Sequence, residues 1–175
     1  MAISEGKKWF IGITIALAGL AFPIYSFRVN LQLTKKIETV RLATQLAEGF
    51  YSGDPVFRDL RMSIERCEKL YKHWGGKFNN DQINRYLGFF DDLGFHAREG
   101  ILEDSIIDHL FGAYIIEAYE NNELRKYIEL LQTNMRDKDA FSDFLALARK
   151  LEDIPSRKEM IELARRGCFD KSNRK

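Results

Sequence analysis

The sequence predicts an all-α protein in which a single N-terminal transmembrane helix continues into a stalk and is followed by a soluble bundle of about five to six helices. Three observations predict it. A run of 19 uncharged residues stands near the N-terminus, apolar residues recur at spacings of three and four over most of the remaining chain, and no stretch alternates with the period of two that marks a strand. The expected organisation is a tail over residues 1–8, a transmembrane helix over 9–27, a juxtamembrane helical stalk over 28–49, a soluble helical domain over 50–166 and a basic tail over 167–175.

The uncharged run from Trp9 to Phe27 reads WFIGITIALAGLAFPIYSF. At 1.5 Å per residue it spans roughly 28 Å, close to the roughly 30 Å of a bilayer's hydrocarbon core. Trp9 and Phe10 at one end and Tyr25 and Phe27 at the other stand where aromatic rings settle among headgroups, with Lys7, Lys8 and Arg28 outside them. Pro23 is tolerated in such a helix at the expense of a kink. The competing reading is a cleaved signal peptide, because Lys7 and Lys8 make a basic leader and Ala16-Leu17-Ala18 matches a small-residue cleavage pattern. Cleavage there would leave a very short apolar region, so a retained anchor is expected. Gly12, Ala16 and Gly19 form a small-residue stripe on which another helix could pack closely, or they reflect only the general abundance of small residues in membrane helices. The span holds no ionisable residue, which argues against a proton relay, an ion path or a ligated haem within it.

Beyond the span, Arg28, Lys35, Lys36 and Arg41 outnumber Lys7 and Lys8, so the N-terminus is expected outside and the domain in the cytoplasm, with the basic residues meeting lipid headgroups. No Pro or Gly interrupts the pattern from Arg28 to Glu48, and Leu33, Ile37, Val40, Ala43 or Thr44, and Ala47 carry a helical period. An unbroken helix from Trp9 to Glu48 would be about 60 Å long.

Ser52-Gly53-Asp54-Pro55 then turns the chain and caps a new helix, with Asp54 at its N-cap and Pro55 in its first turn. Its expected apolar face is Phe57, Leu60, Ile64, Cys67, Tyr71 and Trp74, and the helix should end at Gly75-Gly76. A third helix opens near Asn80 or Asp81 and buries Ile83, Tyr86 or Leu87, Phe90 and Leu93, with Gly94 expected to interrupt it. A fourth starts at Glu103, Asp104 and Ser105 with Ile106 or Ile107, Leu110 or Phe111, Tyr114, Ile115 and Ala118 inward. Asn121-Asn122 and Asp139 start two more, burying Leu124, Tyr127, Ile128 and Leu131 on one and Phe141, Phe144, Leu145 and Ala148 on the other. Pro155 should end the latter, and a short last helix should carry Met160, Ile161 and Ala164.

The segment Gly49-Phe50-Tyr51-Ser52-Gly53-Asp54-Pro55 with Phe57-Arg58, the run Leu87-Gly88-Phe89-Phe90-Asp91-Asp92-Leu93-Gly94 and the run Arg98-Glu99-Gly100-Ile101-Leu102 together resemble an uncharacterised bacterial family, domain of unknown function 4760. The likeness covers about residues 35 to 150. It implies one hydrophobic helix ahead of a helical domain and brings no catalytic residues.

Composition narrows function mainly by exclusion. With 27 basic and 26 acidic residues the net charge is +1, which offers no general attraction for nucleic acid. Cys67 and Cys168 stand about a hundred residues apart and fit no zinc spacing or disulfide framework, so reduced thiols are expected, Cys67 as a buried structural one, with a single disulfide as the open alternative. Asp104, Asp108 and His109, with Asp91 or Asp92, make the best enzymatic cluster. His109 nevertheless lies about 100° round the helix from Asp108, so the three do not converge. His73 and His96 stand alone beside aromatic residues. The turn between Leu93 and Leu102 is a weak helix-turn-helix candidate, because an acidic start to its second helix suits DNA poorly. No catalytic, cofactor or metal residue is therefore expected. Two readings remain: a non-catalytic membrane-anchored interaction protein, either an accessory subunit of a larger membrane complex or a self-associating scaffold, and a membrane-tethered regulator whose cytoplasmic domain senses a ligand or partner. Its expected partners are the lipid bilayer and a protein or a second copy.

Overall fold

The computed structural model describes residues 5–134, 137–154 and 162, with side chains described over 25–133, 137–154 and 162. Its backbone forms two compact units, one ending at Leu42 and the other beginning at Ala43. The described residues are all-α, in six helices: α1 (Glu5–Glu48), α2 (Pro55–Glu65), α3 (Asn80–Arg98), α4 (Asp104–Glu120), α5 (Asn122–Asn134) and α6 (Ser142–Glu152). As expected, α1 runs without a break from the N-terminal region into residues 28–48. The anchor over Trp9 to Phe27, the stripe Gly12, Ala16, Gly19 and the flanking Lys7 and Lys8 fall largely outside the residues whose side chains are described. Among the described residues no helix is long and apolar enough to cross a membrane. The last predicted helix and the basic tail, with Cys168, also lie outside the described residues.

In the second unit α3 and α4 are the central pair: α2 and α6 each pack against both, and α5 packs against α4. The predicted inward faces supply the core, including Ile83, Leu87, Phe90 and Leu93 of α3 and Leu124, Tyr127 and Ile128 of α5. Caps set the helix starts. Asp54 accepts the Val56 amide at 2.9 Å ahead of Pro55, and Asn79 and Gln82 form a reciprocal capping box. Asn121 accepts the Glu123 and Leu124 amides, each at 3.0 Å.

Three expectations are corrected. First, α2 ends at Glu65 rather than at Trp74, and Cys67 adopts a left-handed φ of 56°. The chain is drawn into an extended stretch instead. Phe78 donates to Leu70 and Lys72 to Phe78, both at 2.8 Å, and the Glu123 carboxylate accepts the Leu70 and Tyr71 amides at 3.0 and 2.8 Å. These long-range bonds satisfy the same backbone donors that a continued helix would, so Tyr71 is buried through them and not on a helix face. Only a three-residue 3₁₀ turn, Lys72–Trp74, precedes Gly75-Gly76. Cys67 itself is half-buried and disulfide-bonded, which replaces the expected reduced thiol in a helix-lined core.

Second, Gly94 does not interrupt α3; it is buried within it at the closest approach of α6. Third, α6 begins at Ser142, three residues after Asp139, because Phe141 takes a left-handed φ of 59° and offers no side-chain cap. The missing cap comes from α3, whose Asp91 accepts the Phe144 amide at 2.9 Å.

Candidate functional site

The five-residue π-helical turn Gly49–Gly53 that follows α1 places Phe50 and Tyr51 between α2, α3 and α4. Single π turns of this kind often mark functional positions in helical proteins. Phe50 is fully buried; its ring stacks on Phe89 of α3 at 4.9 Å, meets Phe111 of α4 edge-on at 5.6 Å and lies 5.3 Å from Tyr114. Tyr51 stays 41 % exposed and donates its hydroxyl to the Leu110 carbonyl at 2.6 Å.

Into this aromatic cluster α2 projects Arg61. Phe57, Leu60, Arg61 and Ile64 follow the spacing of an inward stripe, so the arginine occupies an apolar position and is only 9 % exposed. Its guanidinium carbon lies 4.5 Å from the centre of the Phe50 ring and 5.2 Å from those of Tyr51 and Tyr114. Three ring faces thus hold the cation electrostatically. Among the described residues it has neither an ion-pair partner nor a hydrogen-bond acceptor. The signal in the sequence is an arginine in register with Phe57 and Ile64 on the apolar stripe of α2.

Carboxyl and phenol groups next to the cluster are held toward their neutral forms. Burial, then the neighbouring Glu65, raises the Glu117 carboxyl, and burial, then Glu117, raises the Tyr86 phenol. Tyr51 is raised by burial and by Tyr114, with Arg61 opposing. The sign follows for stability: a carboxyl raised on folding favours the fold while it is protonated, and that contribution is lost as pH rises through its folded-state value. Glu117→Gln should therefore stabilise the protein at pH 7 to 8, within the roughly 0.5–2 kcal/mol usual for a stabilising single substitution. The advantage should vanish near pH 4; thermal melts across this range check it, and an equal effect at every pH would refute the assignment.

The other sequence candidates are dispersed. Asp104 pairs with Lys150, Asp91 caps α6, and among the described residues no three His, Cys, Asp or Glu side chains group to hold a metal ion. The His96 Nδ1 is buried without a hydrogen-bond partner, whereas His73 is exposed. Of the membrane and headgroup residues, Tyr25 and Phe27 are 69 % and 65 % exposed, and Arg28, Lys35 and Lys36 are exposed on α1.

Fold and site together define an all-α protein in which a long N-terminal helix leads into a helical domain with a cation-centred aromatic cluster. The model of the family described as a domain of unknown function (DUF4760) matches residues 13–151, and the chain belongs to that family. No curated protein and no solved structure matches it.

Proposed function

We infer that the protein is a non-catalytic, membrane-anchored interaction protein, acting as an accessory subunit of a larger membrane complex or as a self-associating scaffold. The observation that carries the reading is the apolar surface of α1. Among the described residues, six of the ten large exposed hydrophobic side chains lie between Tyr25 and Val40, and Leu33, Ile37 and Val40, at i, i+4 and i+7, are 53 %, 66 % and 59 % exposed. The uncharged run Trp9 to Phe27 supports the anchor. The basic residues Arg28, Lys35, Lys36 and Arg41 support a cytoplasmic domain, and the bonded Cys67 pulls the other way, because disulfides persist in oxidising compartments.

A photo-crosslinking side chain at Ile37 of the full chain in native membranes tests the reading. An adduct with a membrane protein or a second copy is expected, in a fraction that resists alkaline carbonate. Release by carbonate would end the anchor, and the absence of any adduct would end the docking role. Protease digestion of the domain only from the non-cytoplasmic side of sealed vesicles would reverse the orientation alone. The second reading, a tethered domain that takes a ligand, is favoured by one observation: the buried Arg61 without a counter-charge.

A further inference from the structure

We propose that Arg61 is the anchor of a binding site for an oxoanion, the carboxylate or phosphate group of a small ligand or a lipid headgroup, set between the π turn, α2 and α4. The inference rests on the second reading above and does not depend on the anchor.

A guanidinium carries five N–H donors in a planar fork. Here its environment is made of ring faces: Phe50, Tyr51 and Tyr114 attract the cation but accept none of those hydrogens in a conventional bond. Among the described residues the guanidinium nitrogens are not among the buried polar atoms that lack a partner, so the fork still reaches solvent while the rings hold it in place, and its N–H donors are available to an anion. The carboxylates nearest the cluster do not pair with it. Glu65 and Glu117 lie beyond ion-pairing distance of Arg61. The fork matches a carboxylate or phosphate in its own plane, and charge-assisted pairs of that kind are about twice as strong as neutral hydrogen bonds. Tyr51, 41 % exposed, is the most exposed of the three rings around the guanidinium, so the cluster meets solvent on its side. The same two residues, Phe50 and Tyr51, belong to the turn that follows α1, so a bound anion would be sensed where α1 ends.

The test is a thermal melt of the full chain in a neutral detergent with three probes: inorganic phosphate, succinate, and phosphatidic acid in mixed micelles. At least one probe should raise the melting temperature saturably, by roughly 5–10 °C at a hundredfold excess over its Kd. The effect should be lost in Arg61→Met and kept in the exposed control Arg58→Gln. Which probe acts separates a free phosphate or carboxylate from a lipid headgroup. Without anion, Arg61→Met should melt no lower than the native protein, as expected when a cation with no ion-pair partner at an inward position of α2 is replaced by an apolar side chain of similar reach. No shift with any probe, or a shift that survives Arg61→Met, overturns the proposal, and so does a large loss of stability in Arg61→Met without anion. Should Arg61→Met fail to fold, Arg61→Lys decides. It supports the site if binding weakens at least tenfold while the anion-free melt is unchanged, and overturns it if the two do not separate. Loss of carbonate resistance in the crosslinking experiment would leave these melts unaffected, so failure of the anchor and failure of the site are seen apart.

Discussion

Phe50→Ala is expected to lower the stability of the domain by about 3–5 kcal/mol, the range for deleting a fully buried phenyl group. The ring is 0 % exposed and lies at the point where the π turn, α2, α3 and α4 converge. Phe57 at 5.9 Å, Tyr86 at 6.2 Å and Phe90 at 5.6 Å come from two of those helices. Two losses therefore combine. The transfer free energy of the ring disappears, and the cavity left cannot easily close, because its walls are large aromatic side chains fixed on separate helices. A third consequence is particular to this site. Phe50 is the ring closest to the Arg61 guanidinium, so its removal also takes away the nearest cation–π contact. Urea unfolding of the full chain in mild detergent should show the midpoint fall with an unchanged slope. Phe95→Ala, at a ring 41 % exposed, should stay within about 0.5 kcal/mol of the native protein. Near-equal effects of the two substitutions would mean that the cluster is not the centre of the core.

What could be read in advance divides along physical lines. Helix faces and caps depend on residues close in sequence, and they were legible. The inward row Ile83, Leu87, Phe90 and Leu93, the Asp54-Pro55 start of α2 and the Asn121 cap of α5 all follow from spacing and from side-chain chemistry acting within one turn. The errors arose where a distant partner competes with the local signal. The three-and-four spacing from Phe57 to Trp74 suits one long helix, but Glu123, more than fifty residues away, captures the Leu70 and Tyr71 amides, and the chain leaves the helix at Glu65. Asp91, a candidate for chemistry by its residue type, completes a helix start on α6. Arg61 is the third case. Its position in the stripe was visible, but nothing local says that Phe50, Tyr51 and Tyr114 close over it, since two of these come from a turn and one from α4.

Gly94 shows the same limit at a single atom, and it yields the sharpest structural test. By propensity a glycine in mid-helix is a weakness of roughly 0.5–1 kcal/mol relative to alanine, so Gly94→Ala would be expected to stabilise α3. The packing reverses the sign. A Cβ built on Gly94 would lie 2.3 Å from the Asp143 carbonyl oxygen and 2.4 Å from its carbon, both backbone atoms at the start of α6. Backbone cannot rotate aside as a flexible side chain can. To admit the methyl group, α6 must move away from α3, weakening the Asp91 cap on Phe144 and the contact of Phe90 with Phe144, whose rings lie 5.8 Å apart. Overpacking of this kind costs about 1–3 kcal/mol and more when the backbone must shift, so a loss of about 3 kcal/mol or more is expected. Gly88 supplies the internal control: it lies on the same helix, and a Cβ there would meet nothing within 4 Å. Gly88→Ala should therefore stabilise by roughly 0.4–1 kcal/mol through the unfolded chain. Measured side by side by urea unfolding, the two substitutions should move the midpoint in opposite directions, and a stabilising Gly94→Ala would mean that α6 does not pack on α3 at this point.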